Sequence, residues 1–269
     1  MWTPMQLPIP NAAKGIEYLR EAGKKVVFVT NNSVRSPDDY LKKFEKTGLK
    51  VNFDEVVHPV TSIIKYLKKV NFEGLVYCIA TENFKNYLRN AGFTVIDGPN
   101  KILDETFADL AKNIFDDAPV RAVVIDIDYN LSASKLIRAH LYLKHPDCIL
   151  IGGAADMIIP FGESDIIGPG PYVKIVENSS KKKAVILGKP GNELVEMFKE
   201  QYNAKNAKNV LFIGDMLETD IGFGKMCGFQ TLVVLSGATK IENIFQHEND
   251  KEIPDYYAES ITDFIDFLN

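Results

Sequence analysis

Short continuous apolar runs alternate along the chain with segments whose apolar positions recur every three to four residues. Runs at 25–29, 75–79 and 122–125 show little polar alternation, which is typical of parallel strands buried on both faces. Residues 36–47 instead place their apolar side chains on one helical face. This alternation of strands and helices predicts right-handed parallel crossovers, and hence an α/β fold with a Rossmann-like, doubly wound parallel sheet.

The run of elements is too long for one sheet, so we expect two. Residues 1–71 and 173–269 are predicted to form the core, and residues 72–172 an inserted, smaller α/β cap domain. Hinges are expected near 69–74 and in the Gly/Pro-rich passage 168–171. This layout suits a lid that closes over a substrate.

Composition and charge narrow the class of function. The 269 residues carry a net charge of −5, and the densest basic run has only three lysines, at 181–183, so nucleic-acid binding is not expected. No stretch approaches the ~18 apolar residues of a membrane helix. The three cysteines lack ligand spacing, which disfavours a disulfide framework or zinc site and predicts a cytoplasmic location.

One candidate site residue, Asp215, follows an apolar run at 209–213 and a glycine. The run predicts a fully buried parallel strand, and ligands of open α/β sheets bind at the carboxyl ends of the strands. A carboxylate in this position is a hard oxygen ligand suited to Mg²⁺, the usual partner of phosphate substrates. The alternative is an ordinary strand-to-turn Gly-Asp without a metal.

Three further strand ends carry polar residues. Thr30, Asn31 and Asn32 follow the strand at 25–29, and their hydroxyl, amides and backbone N–H groups form a neutral anion cradle. Lys189, between a glycine and a proline, is placed to neutralise a phosphate oxygen, and Asp220 to orient that lysine or a metal-bound water. The alternatives are a turn that caps the next helix, an exposed lysine, and an acid that interacts with a helix dipole.

The order of these segments resembles the motifs of the haloacid dehalogenase superfamily. The similar branch contains the p-nitrophenylphosphatases, phosphoglycolate phosphatases and pyridoxal phosphate phosphatases. The segments that carry the resemblance are 8–12 (Pro-Ile-Pro-Asn-Ala), 28–33 (Phe-Val-Thr-Asn-Asn-Ser), 188–190 (Gly-Lys-Pro), 214–221 (Gly-Asp-Met-Leu-Glu-Thr-Asp-Ile), 236–239 (Ser-Gly-Ala-Thr) and 254–257 (Pro-Asp-Tyr-Tyr).

This resemblance implies a phosphatase that hydrolyses small-molecule phosphate monoesters through an aspartyl-phosphate, with Mg²⁺ as cofactor. It implies that Thr30 and Asn31 hold the phosphoryl group, that Lys189 balances its charge, that Asp215 binds Mg²⁺ and that Asp220 supports the site. The inserted cap would select the substrate. A homodimer is left open.

The sequence departs from the branch in two ways. Members begin with a strand ending in Asp-x-Asp-Gly, whose first aspartate is the nucleophile; the sequence contains no such motif, and Trp2 falls at the position just after it. In the cap, Asp126 stands where members usually have glycine, and a "TNxD"-like stretch reads Gly-Ala-Ala-Asp at 153–156. These cap changes leave the substrate unassigned.

We therefore expect the chain as given to be inactive, either because its start is truncated or because the initiating Met is wrongly chosen. A naturally expressed inactive form is the second expectation. The alternative function is a catalytically dead member that retains the phosphate cradle as a binding or regulatory protein. A nucleotide-binding Rossmann domain is disfavoured because no Gly-x-Gly-x-x-Gly follows a strand.

Overall fold

The computed structural model describes residues 1–2, 7–202 and 206–267. Helices and strands alternate through these residues as the sequence predicts. The helices are α1 Ala12–Glu21, α2 Pro37–Glu45, α3 Pro59–Lys69, α4 Glu82–Asn90, α5 Phe107–Ile114, α6 Ala133–Tyr142, α7 Gly170–Ser180, α8 Asn192–Tyr202, α9 Gly222–Cys227, α10 Ile241–Phe245 and α11 Phe264–Phe267. The strands are β1 Phe28–Val29, β2 Val56–Val57, β3 Leu75–Ile79, β4 Thr94–Ile96, β5 Val120–Ile125, β6 Ile149–Gly152, β7 Ile158–Phe161, β8 Ser164–Ile167, β9 Ala184–Ile186, β10 Leu211–Gly214, β11 Gln230–Val234 and β12 Tyr256–Ala258.

The largest sheet is a parallel, five-stranded one in the order β4-β3-β5-β6-β9, which we call the cap sheet. Its central strands are almost completely buried, and apolar clusters from both faces pack against α3, α4, α6 and α7. β9 pairs with β6 through Leu150–Ala184, Ile151–Val185 and Gly152–Ile186. This sheet therefore includes a strand from beyond residue 172, next to the segment that carries Lys189. The division into a core and an inserted domain stays a prediction.

The predicted core contains two smaller parallel sheets. β1 pairs with β2, and β10 pairs with β11, which pairs in turn with β12. Among the described residues, β1 and β10 each have a strand on one side only. The prediction that the strand at 209–213 is fully buried is wrong, because Phe212 is the only buried residue of β10. Both residues of β1 are half-buried as well. β12, of three residues, is the last strand of the described chain and lies at the edge of this sheet.

The loop after β1 is fixed by the start of α2. The Ser36 hydroxyl accepts a hydrogen bond from the backbone N–H of Asp39, and the Asp39 carboxylate accepts one from the backbone N–H of Ser36. This reciprocal capping box satisfies N–H groups that have no partner within the helix. It fixes the chain at Ser36, where the loop after β1 enters the helix.

Over the described ranges, none of the helices combines the length and the apolar character needed to cross a bilayer.

Candidate functional site

Lys189 lies at the centre of the candidate site. It follows β9 after two residues and its side chain is buried, with 7% of the residue exposed. The ammonium group forms an ion pair with the carboxylate of Asp220, of which 6% is exposed, and donates a hydrogen bond of 3.2 Å to the backbone oxygen of Val29 at the end of β1. Lys189 thus links the end of the cap sheet to both smaller sheets.

Asp220 also shapes the turn after β10. It lies on a single π-helical turn, Leu217–Ile221, and its second carboxylate oxygen accepts hydrogen bonds from the backbone N–H groups of Asp215 (3.0 Å) and Met216 (3.1 Å). A Cβ atom at Gly214 would overlap the Asp220 side chain, so this packing requires glycine there. Asp220 therefore holds both Lys189 and the turn that presents Asp215.

The negative charge of the Asp215 carboxylate is only partly balanced by its surroundings. Its Oδ2 accepts a hydrogen bond from the backbone N–H of Ala238 (2.9 Å), and its backbone oxygen accepts two from Thr239. Burial, and next the negative charge of Asp220, raise the pKa of the Asp215 carboxyl above its usual value. A cation next to Asp215 would relieve both effects, so the residue fits a Mg²⁺ ligand. Within the described residues, however, no three His, Cys, Asp or Glu side chains form a metal-binding group.

The loop at Thr30–Asn32 lies against Lys189. The Thr30 hydroxyl is 3.2 Å from the Tyr40 hydroxyl and accepts a 3.1 Å hydrogen bond from the backbone N–H of Asn32. The Asn31 side chain is already engaged: it donates to the Lys189 backbone oxygen (2.8 Å) and to Asp156 Oδ2 (2.8 Å), and accepts from the Lys189 backbone N–H (2.7 Å). The Asn31 side chain thus connects the loop after β1 to the segments that carry Lys189 and Asp156.

The structure thus brings Thr30, Asn31, Lys189, Asp215 and Asp220 to one place. Asn32 belongs to the same loop, but it is exposed and its side-chain oxygen accepts a local hydrogen bond from the Val34 backbone N–H (3.2 Å). The roles predicted for these residues in binding and catalysis stay predictions, because the contacts establish only that their positions suit a shared site.

The sequence did not assign a role to three residues that border the site. Asp126, at the end of β5, is 1% exposed and accepts a hydrogen bond from the hydroxyl of Ser33, which is 4% exposed. Asp156 accepts the hydrogen bond from Asn31. The sequence offered one signal for Asp126, which stands where members of the similar family usually have glycine. The structure adds that a Cβ atom at Gly153 would collide with the Asp126 carboxyl group.

Comparison with known proteins gives concordant results. Residues 2–94 match the family described as haloacid dehalogenase-like hydrolase, and residues 186–264 match the one described as HAD-hydrolase-like. The chain is 32% identical to phosphoglycolate phosphatase 2 of Arabidopsis thaliana over 97% of this chain and 87% of the relative. It is 31% identical to glycerol-3-phosphate phosphatase of Gallus gallus, over 97% and 86% of the two chains.

A solved structure of similar fold is the p-nitrophenyl phosphatase from Archaeoglobus fulgidus. It superposes with a TM-score of 0.79 at 24% identity, and the match covers 97% of this chain and 93% of that one. At this identity the likeness is informative about the fold alone. The overall fold of this chain thus agrees with that of the phosphatase structure.

Proposed function

The chain belongs to the haloacid dehalogenase-like hydrolase family, and from that premise we propose that it forms the phosphate-handling part of a phosphatase that acts on small phosphate monoesters. The observation that supports this most is the convergence of Lys189, Asp220 and Asp215 at the end of the loop that carries Thr30 and Asn31. A buried ammonium group next to backbone N–H donors stabilises the charge on a transferring phosphoryl group.

Each residue has a proposed role that follows from its contacts. Thr30 offers its hydroxyl to the phosphoryl oxygens. Asn31 offers its backbone N–H, because its side chain is engaged by Lys189 and Asp156. Lys189 neutralises a phosphate oxygen while Asp220 fixes the position of its ammonium group.

We propose Mg²⁺ as the cofactor, with Asp215 as its ligand from this chain. The charge of the Asp215 carboxylate is only partly offset by Lys189 and the Met1 amino group, so that its pKa stays raised, and hard oxygen donors are the ligands that Mg²⁺ prefers. When bound, the ion would supply positive charge to the phosphoryl oxygens. One carboxylate holds Mg²⁺ weakly, since this ion keeps most of its water, so further oxygen ligands are required.

Hydrolysis in this proposal needs an aspartate nucleophile, which no Asp-x-Asp-Gly sequence in the chain supplies. The proposed place for a strand carrying it is between β1 and β10, which, over the ranges that the structure describes, each have a strand on one side only and are mostly half-buried. The α-amino group of Met1 lies near the same place: burial lowers its pKa, and the charge of Asp215 partly opposes that shift. The chain as given is proposed to bind a phosphate monoester without hydrolysing it.

A second candidate function is a catalytically dead phosphate-binding or regulatory protein. The observation that favours it is the combination of a complete Lys189–Asp220 pair with a sequence that lacks the nucleophile motif.

We retain a cytoplasmic location in the proposal because Cys78, Cys148 and Cys227 are all free and buried, as expected in a reducing compartment.

Turnover of p-nitrophenyl phosphate with Mg²⁺ tests the two candidates. We expect none from the chain as given, and turnover from a form extended at its start by a strand bearing Asp-x-Asp-Gly. The control is the same extension with Asn in place of the first Asp, which should be slower by a factor on the order of 10⁶. If the extended form is inactive while a phosphate ligand still raises its Tm, the binding function is supported and the phosphatase is not.

A further inference from the structure

Asp126 lies where the cap sheet meets the loop after β1. It directly follows β5, the middle strand of that sheet, and its Oδ1 accepts a hydrogen bond from the Ser33 hydroxyl. Both residues are buried. The loop is held to the cap side a second time by the 2.8 Å hydrogen bond from Asn31 to Asp156. Two carboxyl groups on the cap side therefore hold two residues of the same loop.

The carboxyl group of Asp126 is unevenly satisfied. Oδ1 also accepts a 2.6 Å hydrogen bond from the backbone N–H of Ile127, whereas Oδ2 is buried and has no hydrogen-bond partner among the described residues. Gly153 lies directly against Oδ2, since even a methyl group there would overlap it. A buried oxygen without a donor disfavours a negative charge far more than it disfavours a neutral acid.

A nearby negative charge also disfavours ionisation of Asp126. The negative charge of Asp156 opposes ionisation of Asp126, while the Ser33 and Ile127 hydrogen bonds favour it. Burial raises the pKa of Asp156 as well. Cys78, on the adjacent strand β3, also lies within electrostatic range, and burial raises the pKa of its thiol so that it stays neutral. Burial is the largest effect, and it raises the pKa of Asp126 to about 7.

We propose that Asp126 is a positioning residue whose protonated carboxyl group ties the cap sheet to the 30–33 loop, so that uptake of one proton closes the cap over the site. This inference rests on the proposed function only in taking that loop as part of a phosphate site. The tie itself is the Ser33 hydrogen bond across the boundary, and Gly153, which follows β6 in the same sheet as Asp126, leaves the room that the Asp126 carboxyl group occupies. Opening would give Oδ2 water as a partner.

The direction of the pH dependence follows from the two states. In an open form the Asp126 carboxyl is solvated, with an ordinary pKa of about 3.9, whereas the closed form raises the pKa of Asp126 to about 7. The closed form therefore binds the proton more tightly. Its advantage is complete below about pH 4 and falls by about tenfold per pH unit as the pH rises, until it is lost near pH 7.

The test follows closure with two fluorescent labels, on Glu45→Cys in α2 and Lys112→Cys in α5, at exposed positions on either side of the boundary. Between pH 5 and 8 we expect energy transfer to report a closed fraction that falls with rising pH and levels off above pH 7.5. In Asp126→Asn, which keeps the hydrogen-bond acceptor but cannot ionise, the closure constant should lose most of its pH dependence.

Two controls isolate Asp126. Asp165→Asn removes one charge at an exposed position of β8 and should leave the pH profile as it is in the parent. Asp156→Asn tests the other carboxyl group of the boundary, and the profile assigned to Asp126 should persist in it. A parent protein whose closure does not change with pH, or an Asp126→Asn variant that keeps the full pH dependence, would overturn the proposal.

Ser33→Ala gives an independent measurement if Asp126→Asn does not fold. Losing this hydrogen bond should weaken closure at pH 5 by roughly five- to tenfold, and unchanged closure would contradict the tie. Sulfate, an anion that does not titrate in this range, separates this proposal from the proposed function. If sulfate fails to raise Tm at any pH while the labels still report pH-dependent closure, the phosphate site fails and the positioning role of Asp126 stands.

Discussion

Lys189 and Asp220 form an ion pair that is almost closed to water, with side-chain exposures of 9% and 8%. Among the described residues they are each other's only ion-pair partner: the ammonium group otherwise donates to the Val29 carbonyl oxygen and lies 5.9 Å from the centre of the Phe212 ring, and the second oxygen of Asp220 accepts backbone N–H groups. Because two buried charges depend on each other, changing one alone should be costlier than changing both.

Lys189→Met should destabilise the protein by roughly 3–5 kcal/mol, because it leaves the buried carboxylate of Asp220 without its counter-charge. The measurement is urea unfolding followed by circular dichroism. The double variant Lys189→Met with Asp220→Asn should recover part of the loss. Additive effects of the two substitutions would show that the pair does not act as a unit.

Asn31→Ala should cost about 2 kcal/mol, because it removes three hydrogen bonds that join the 30–33 loop to Lys189 and Asp156. The matched control is Asn32→Ala in the same loop, whose exposed side chain makes one local hydrogen bond, and a change within about 0.5 kcal/mol is expected there. Thermal unfolding of the two variants side by side measures the difference. Equal losses of stability in the two variants would show that the Asn31 side chain does not connect these segments.

Asp215→Asn should stabilise the metal-free protein at pH 7 by an amount on the order of 1 kcal/mol. Burial and the charge of Asp220 raise the pKa of Asp215, so the folded protein favours the uncharged form. The stability due to this group is present at low pH and is lost as the pH rises through its folded pKa. The substitution should also abolish any rise in Tm caused by Mg²⁺, and a rise that persists would place the metal elsewhere.

Gly153→Ala should destabilise the protein by about 2 kcal/mol or more, since the added methyl group overlaps the Asp126 carboxyl group. Asp126→Ala removes that carboxyl group and makes room. We therefore expect the double variant to be more stable than the sum of the single changes predicts, by about 1 kcal/mol or more in a thermodynamic cycle. A coupling energy near zero would mean that the two positions do not share this space.

His58 should make the protein sensitive to acid. It is buried at the start of α3, where Nδ1 accepts the backbone N–H of Val60, and burial lowers the pKa of the imidazole to about 4. The unfolded chain takes up the proton near pH 6.5, so stability is full above that pH and falls by up to about 3 kcal/mol towards pH 4.

His58→Asn keeps a good helix-capping residue and should remove this part of the acid dependence. His145→Asn, at an exposed position, is the matched control and should keep it. Unfolding free energies measured from pH 7 to pH 4 distinguish the two. If His58→Asn retains the slope of the parent, another group is responsible.

The sequence predicted the α/β architecture and the place where the polar loops meet. Apolar runs without polar alternation identify parallel strands, and such strands expose their carboxyl ends on a common edge. This is why Thr30, Lys189 and Asp215, which are far apart in the chain, could be assigned to one site before the contacts were known. Short strands were less well predicted. β12 has only three residues, and residues 25–27 of the expected strand at 25–29 lie outside β1.

The side-chain partners could not be predicted in this way. Periodicity gives the face on which a residue lies but not the atom that it contacts, so the engagement of the Asn31 amide by Lys189 was not foreseen. The burial of Asp126 depends on the missing side chain at Gly153, 27 residues later, and no local pattern links these positions. The pairing of β9 with β6 is likewise a long-range choice between two sheets.

The attachment of Lys189 to β9 has a mechanical consequence. Only Leu187 and Gly188 separate this residue from the outermost strand of the five-stranded sheet, whereas its acidic counterpart follows β10 in another sheet. Any rigid rotation that admits a substrate would also draw the ammonium group away from its carboxylate. Such a rotation would therefore couple access to the site with separation of Lys189 from Asp220, and the ion pair would form again only when the two sheets return to the arrangement described here.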